Sequence, residues 1–368
     1  MIENQILSLT LTVAQTVRQL SNAYISLIKK ERPLKRFPTV MLWGPPGVGK
    51  SQAIRQIADQ IANKTGKQVN VTDVRLLLFN PVDLRGIPTS NADKTLAIWL
   101  KPQIFQMNPS EEVINILFLD EISAAPQSVQ AAAYQITLDR TVGEHKLPDN
   151  CIVIAAGNRV TDRSVAFNMP KALANRLCHI EIATDSYSWH NWAVKAGINR
   201  LVLGYLSKNP SKLMQFDPQT DGQSFATPRS WEMVSNILND VSENVVAVFP
   251  LIAGCIGEEA AYELRSWSEI YSHIPEISEI FDGYTDERPV MPEGLYAVAA
   301  GISTYARTHH SRDEIENALN YAANLPAEFK SMIFTDLLEI SEIRKQLQLN
   351  WTFNDWFERS GRRWDDYE

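Results

Sequence analysis

Residues 44–51 read Gly-Pro-Pro-Gly-Val-Gly-Lys-Ser, and no other stretch of the chain restricts its fold as tightly. The apolar run Phe37–Trp43 before them is short and ends at a Gly-Pro-Pro-Gly turn, which predicts a buried strand. Ser51 to Asn63 then has the rhythm of a helix. A strand, a glycine-rich turn and a helix in that order make an anion site. Glycine lets the backbone curl until successive N–H groups converge, and the helix adds the positive end of its dipole. Gly44, Gly49, Lys50 and Ser51 satisfy the full spacing GxxxxGK[ST]. Gly44, Pro45, Pro46, Gly47, Val48 and Gly49 would then wrap a nucleotide's phosphates. Lys50 would reach the β- and γ-phosphates, and the Ser51 hydroxyl would ligate Mg²⁺. The ligand expected from these residues is ATP with Mg²⁺.

A second apolar run, Ile116-Leu-Phe-Leu, ends in Asp120-Glu121. Four apolar residues bury a strand in the middle of a sheet and deliver both carboxylates to its C-terminal edge. There Asp120 can hold Mg²⁺ and Glu121 can polarise an attacking water. Acids also favour the start of a helix, so the pair alone would be ambiguous; the phosphate loop upstream favours chemistry. A further run, Cys151 to Ala156, ends in Gly157-Asn158-Arg159. An Asn at that strand end could position water or sense the terminal phosphate, although Asn after Gly also suits a plain turn.

Five strands are predicted: Phe37–Trp43, Gln68–Phe79, Val113–Leu119, Cys151–Ala156 and Cys178–Ile182. Helical stretches separate them, including Gln127–Ile136, whose small residues suit close packing on a sheet. Residues 3–30 read as a helix. The fold class is therefore α/β with a largely parallel central sheet. From about Ser186 strands stop, and Trp189–Lys195, Arg200–Ser207, Pro228–Leu238 and Val245–Ile256 begin an all-helical region.

Net charge is −8 over 368 residues, unevenly spread. Residues 1–67 hold ten Lys/Arg against three Asp/Glu, and residues 257–368 hold ten against twenty-two. The acidic last third argues against nucleic-acid binding there. A basic front and acidic rear suit head-to-tail assembly, or simply solubility. No apolar run approaches the roughly 18–20 residues of a membrane helix. Residues 6–14 are apolar but lack the flanks of a signal peptide. Cys151, Cys178 and Cys255 share no metal spacing, and Cys151 and Cys178 open apolar runs, so buried free thiols in a cytoplasmic protein are expected. The six histidines form no metal constellation, and His145 reads as a solvated hairpin residue. Trp231 is expected to be buried, and Trp351, Trp356 and Trp364 to anchor the C-terminus, although any of them could instead be a partner contact.

The ordered set Gly-Pro-Pro-Gly-x-Gly-Lys-Ser, apolar-Asp-Glu and Ala-Gly-Asn resembles the AAA+ ATPases, in particular their MoxR-like branch, over residues 35–240. The resemblance implies four segments: an N-terminal helix and linker (1–36), the nucleotide-binding core (37–185), a helical lid (186–256) and an acidic helical extension of that lid (257–368). It implies that Asn158 is the first sensor. It also implies that Pro170-Lys-Ala-Leu-Ala-Asn-Arg176 carries an arginine finger for a neighbouring subunit, and that Thr227-Pro-Arg229 brings Arg229 to the γ-phosphate. A guanidinium suits developing phosphate charge, being planar and permanently charged. Arg159 and Arg163 lie near the same edge and compete for the finger role.

Two further segments are similar to this branch. Asn80–Pro88, running on to Trp99, is similar to its inserted loop or hairpin, and Arg140–Pro148 to the hairpin before the first sensor. Either could be a long surface loop. By resemblance the chain is an ATP hydrolase in a homo-oligomeric ring, six-membered by analogy. It would remodel a client protein with the help of a partner bearing a von Willebrand factor A domain. The alternatives are a nucleic-acid-dependent motor or clamp-loader-like switch, and a nucleotide-gated scaffold. The acidic last third weighs against the first, and the intact Asp120-Glu121 pair against the second.

Overall fold

The computed structural model describes residues 10–159, 169, 174–217, 222–270, 273–364 and 367. The chain divides into two compact units, residues 1–184 with 217–220, and residues 185–216 with 221–368.

The first unit is built on a six-stranded, wholly parallel sheet. Its strands are β1 (Thr10–Thr12), β2 (Val40–Trp43), β3 (Gln68–Arg75), β6 (Val113–Asp120), β9 (Cys151–Gly157) and β10 (Cys178–Ala183). They lie in the order β1-β10-β2-β9-β6-β3. Along the inner strands side chains alternate between two cores. Val40, Leu42, Ile116, Phe118 and Ile154 face α1 (Val13–Lys29) and α2 (Lys50–Thr65). Met41, Leu117, Leu119 and Val153 face the opposite layer, which includes α3 (Pro81–Arg85) and α4 (Gln127–Asp139). Both faces being covered there, the inner strands β2, β6 and β9 read as largely apolar runs, as parallel sheets do.

Because all strands run the same way, their C-terminal ends share one edge. Strand β2 sits between β10 and β9, where the order of the chain reverses; in such sheets ligands bind outside the carboxyl ends at that point. Register places Trp43 opposite Gly157, and Leu119 opposite Ala155. The loop after β2, the acids after β6 and Asn158 after β9 therefore emerge side by side.

Two hairpins leave this layer: β4 (Ile87–Ser90) with β5 (Ala97–Leu100), and β7 (Thr141–Val142) with β8 (His145–Lys146). Both segments expected to be hairpins are hairpins. His145, however, is half-buried rather than solvated, and its Nε2 lies 2.8 Å from the Trp99 carbonyl, tying one hairpin to the other.

The helix expected over 3–30 begins only at Val13. Thr10–Thr12 instead forms an edge strand, and Thr12 caps the helix reciprocally with Gln15 at 3.2 and 3.0 Å. A capping box ends the helical reading there, because the cap residue takes extended backbone and is free to join a sheet. The strand predicted to Phe79 stops at Arg75. Leu76–Leu78 form a 3₁₀ turn with Leu77 and Leu78 exposed, so that apolar run was not a buried strand.

The second unit is helical throughout its described residues. Helices α5 (Ser186–Ala196), α6 (Arg200–Lys208), α7 (Pro228–Asp240), α8 (Phe249–Ile256), α9 (Glu258–Ile270) and α10 (Ile277–Phe281) come first. They are followed by α11 (Pro292–Tyr305), α12 (Arg312–Ala323), α13 (Ala327–Leu338), α14 (Arg344–Leu349) and α15 (Trp351–Arg359). One cluster of buried side chains runs from Trp189 to Phe357. Trp231 lies fully inside it, with its indole N–H donating to the Lys212 carbonyl at 3.0 Å. Trp356 and Trp364 pack against the cluster, whereas Trp351 is 81% exposed and anchors nothing. The helix expected from Val245 starts at Phe249, where Pro250 sits in the first turn and needs no amide partner. Cys151 is buried, but Cys178 and Cys255 are only half-buried, packed against the margins of their core clusters rather than inside them. Among the described residues no helix is long and apolar enough to cross a membrane.

Candidate functional site

The loop Gly44–Gly49 turns the chain from β2 into α2. Gly47 and Gly49 take φ of 77° and 104°, a left-handed backbone that side chains resist. Gly44 is confined by neighbours: a Cβ there would lie 2.9 Å from the Ile182 carbonyl oxygen. Lys50 opens α2 and folds back over the loop. Its ammonium donates to the carbonyls of Gly44 at 2.6 Å and Pro45 at 3.0 Å, and to Asn158 Oδ1 at 2.9 Å. Ser51 Oγ lies 3.2 Å from Asp120 Oδ2, to which it donates. Four motif residues from three strand ends thus meet within hydrogen-bond distances.

Glu121 is held in an uncommon conformation. Its φ is +57°, one of four non-glycine residues with positive φ among the described residues. Four bonds hold the turn. The Glu121 amide donates to Asp120 Oδ1 at 2.9 Å, its carbonyl accepts from the Ala124 and Ala125 amides at 3.0 and 3.2 Å, and the Ile122 amide donates to the Ala156 carbonyl at 3.0 Å. Such strain costs about 1–2 kcal/mol and persists only where surroundings over-determine it. It re-aims the carboxylate away from the direction a continuing strand would give it.

Ser123 went unnoticed in the sequence. It is buried, and its Oγ accepts from the Asn158 amide at 3.0 Å. A Cβ on Gly157 would sit 2.6 Å from that Oγ and 2.9 Å from Met41 Cε. Gly157 is thus required by a close approach, and Ser123 ties the Asp-Glu turn to the strand end that carries Asn158. Nothing in the spacing of Ser123 marks it out; only the neighbouring Ala-Ala-Pro hints at tight packing. On the edge strand, Arg75 pairs in register with Asp120, and Asp73 stands nearby. Burial, followed by the charge of Asp120, pushes the Asp73 carboxyl above its ordinary range against the pull of Arg75 and Arg55.

The arginines fall in different places. Arg159 is engaged within the unit, its Nη2 lying 3.2 Å from Glu181 Oε2 on β10, which also accepts from Thr10 at 3.2 Å. Arg176 is exposed in the turn that leads into β10. Arg163 and the segment Pro170–Leu173 lie outside the described residues. Arg229 belongs to the second unit, exposed in the first turn of α7. Pro228 starts that helix, and Thr227 and Ser230 cap it reciprocally at 3.1 and 2.8 Å.

The donor set suits a small hard cation. A serine hydroxyl and a carboxylate oxygen already stand 3.2 Å apart, and Mg²⁺ takes oxygen ligands only. No cluster of three or more His, Cys, Asp or Glu that could by itself hold a metal occurs among the described residues. The ion would therefore share its shell with phosphate and water, as Mg²⁺ does at nucleotide sites.

Residues 40–182 match the profile of the AAA family, the ATPases associated with various cellular activities. The match spans the sheet from β2 to β10, and the first unit has the P-loop AAA fold. Solved structures with a similar arrangement include a candidate ATPase from Cytophaga hutchinsonii, 17% identical, covering 89% of this chain and 93% of that one at a TM-score of 0.32. A point mutant of Thermotoga maritima RuvB is 14% identical over 83% of this chain and 90% of its own, with a TM-score of 0.35. Brucella abortus NtrX in complex with ADP is 14% identical over 91% and 68%, with a TM-score of 0.33. No curated protein matches the chain significantly. At this distance the overlaps carry no functional information, which comes from the residues themselves.

Proposed function

We propose that this chain is a MgATP-hydrolysing, MoxR-like AAA+ protein that works as a homo-oligomeric ring, six-membered by analogy, and remodels a client protein. The observation that carries the ATPase reading is the meeting of Lys50, Asn158, Ser51 and Asp120 at one sheet edge, with Glu121 turned beside them. In this reading residues 186–256 are the lid segment and 257–368 its acidic extension. A partner with a von Willebrand factor A domain and a cytoplasmic location belong to the same proposal, and both rest on the resemblance.

The loop amides and Lys50 would bind the phosphates, and Ser51 and Asp120 would hold Mg²⁺, which when bound neutralises phosphate charge. The Glu121 carboxylate would take a proton from the attacking water. Asn158, tethered through Ser123, would orient that water or sense the terminal phosphate. The present bonds of Lys50 to Gly44, Pro45 and Asn158 hold its ammonium at the loop's own centre, where phosphate oxygens would exchange for those acceptors. Arg229 is assigned phosphate sensing by resemblance alone. For the finger, the Glu181 pairing of Arg159 and the exposure of Arg176 favour Arg176.

Glu121→Gln tests the assignment. It should keep ATP binding and lose hydrolysis about 100-fold or more, the scale on which removing a general base acts. Unchanged hydrolysis would refute Glu121 as the base. ATP-dependent capture of proteins by that variant would support a remodeller. Salt-sensitive stimulation by DNA or RNA would support a nucleic-acid motor instead.

A further inference from the structure

His179 is the second residue of β10 and serves neither the loop nor the acids, yet both of its ring nitrogens are committed. The indole N–H of Trp43 lies 2.8 Å from His179 Nδ1. The two ring planes lie nearly parallel, 12° apart. On the other side His179 Nε2 lies 2.7 Å from the carbonyl oxygen of Ala174. An indole nitrogen can only donate, and a carbonyl oxygen can only accept. Nδ1 must therefore be the bare nitrogen and Nε2 must carry the proton: the pattern admits only the neutral Nε2–H tautomer.

Each end of this chain of bonds touches a motif. Trp43 is the last residue of β2, and the next residue is Gly44, the first of the phosphate loop. Ala174 opens the turn that carries Arg176, and its carbonyl also accepts from the Leu177 amide at 3.2 Å, closing the turn. The Arg176 turn is fastened at its start by His179 and at its end by the Cys178 amide, which donates to the Thr39 carbonyl at 2.9 Å. Both fastenings lead to β2 and its approach, and so to the loop.

From this we infer that His179 is a positioning residue: with Trp43 it ties the Arg176 turn to the start of the phosphate loop, coupling a subunit's own nucleotide site to the arginine it presents to its neighbour. A shift of Gly44 on nucleotide binding moves Trp43, to which it is covalently joined. The Trp43–His179–Ala174 bonds pass that shift to the turn. The inference rests on the reading of Arg176 as acting in a neighbouring subunit's site.

The test uses the full chain. His179→Phe keeps a planar ring of similar size and removes both bonds, and Trp43→Phe removes only the first. ATP affinity should stay within about twofold in both, because the bonds do not touch the phosphate cradle. Hydrolysis should fall about tenfold or more in His179→Phe, as misplacement of a charged group by about 1 Å does. Trp43→Phe should show a smaller loss. Co-expressing His179→Phe with Lys50→Ala subunits, whose own sites are dead but whose Arg176 turns are intact, should raise hydrolysis per intact loop. A fold defect would not be repaired by such mixing.

Arg176→Ala mixed with Lys50→Ala is the reference. If that reference recovers and His179→Phe does not, the coupling is wrong and the trans arginine stands. Full hydrolysis by His179→Phe alone would also overturn the coupling. If the reference itself fails to recover, the trans reading falls and the inference with it.

Discussion

The Lys50 ammonium lies 2.9 Å from Oδ1 of Asn158, joining the first residue of α2 to the residue that follows β9. The acceptor is a neutral amide. It can hold a cation without cancelling its charge, and release it to phosphate oxygens at little electrostatic cost.

A carboxylate at that position would behave differently. Asn158→Asp should grip Lys50 as an ion pair and repel the terminal phosphate, so nucleotide binding should weaken more than in Asn158→Ala. At an effective dielectric near 20, two unit charges about 4 Å apart interact by roughly 4 kcal/mol, so even a partial effect exceeds tenfold in affinity. Titration of a fluorescent ATP analogue into both variants separates the cases. Equal affinities would show that Asn158 does not face the phosphates.

Gly157 has no room for a methyl group. Gly157→Ala would place a Cβ within 3 Å of Ser123 Oγ and Met41 Cε, and should destabilise the first unit by about 1–3 kcal/mol through overpacking. Pairing it with Ser123→Ala, which removes the nearer atom, should restore part of that loss. Denaturant melts of the two single variants and the double variant measure the coupling.

Glu121 holds a left-handed backbone that Asn tolerates better. Glu121→Asn should therefore leave stability unchanged or raise it by about 0.5–1 kcal/mol, while hydrolysis drops about 100-fold. A thermal melt alongside a phosphate-release assay checks both halves. Loss of stability would mean that the carboxylate supports the turn rather than the reaction.

In the second unit, His190 Nε2 lies 2.8 Å from Asp336 Oδ1, whose other oxygen accepts from Ser303 at 2.7 Å. Burial pulls the imidazole pKa down, but the charge and hydrogen bond of Asp336, with Glu339 nearby, outweigh it and raise it above its ordinary value. Glu339 is paired with Lys195 at 2.5 Å, and Ser207 Oγ meets His190 Nδ1 at 3.1 Å. A group with a raised folded pKa stabilises the fold fully below its unfolded pKa, and loses that contribution as pH rises through the folded one. Stability of the helical unit should therefore decline as pH rises above about 6.5, the ordinary imidazole value. His190→Gln should flatten that decline, while His190→Leu, which leaves Asp336 buried without its cation, should be the more destabilised. Denaturant melts from about pH 6 to about pH 8, the range in which an imidazole titrates, decide it.

Much of the first unit was legible because the inner strands β2, β6 and β9 are buried on both faces and end at one edge. Continuous apolar runs announced β2, β6 and β9, and a polar motif followed each. The helices expected after the loop and over Gln127–Ile136 are present at Lys50–Thr65 and Gln127–Asp139, whereas those expected over 3–30 and from Val245 start late, at Val13 and Phe249. The errors arose where burial is one-sided or absent. Leu76–Leu78 carry strand-like side chains but leave the sheet, and Leu77 and Leu78 are exposed. Thr10–Thr12 has too few residues to show an alternation, and Thr10 pairs with Glu181, 171 residues further along the chain. Trp351 looked like an anchor by residue type, which says nothing of the face on which it falls.

The candidate site residues in the loop Gly44–Ser51, the pair Asp120-Glu121 and Asn158 are legible in the sequence itself, because the phosphate and carboxylate chemistry proposed for them demands particular residue types at fixed local spacings. The rest was decided by the tertiary structure. Ser123 against Gly157, the turned backbone of Glu121 and the Trp43–His179–Ala174 bonds join residues from different strands, and no local pattern records which strands become neighbours. Parallel pairing brings those strand ends together only after the crossovers are made, so contacts of this kind exist in the folded sheet and nowhere in the order of the residues.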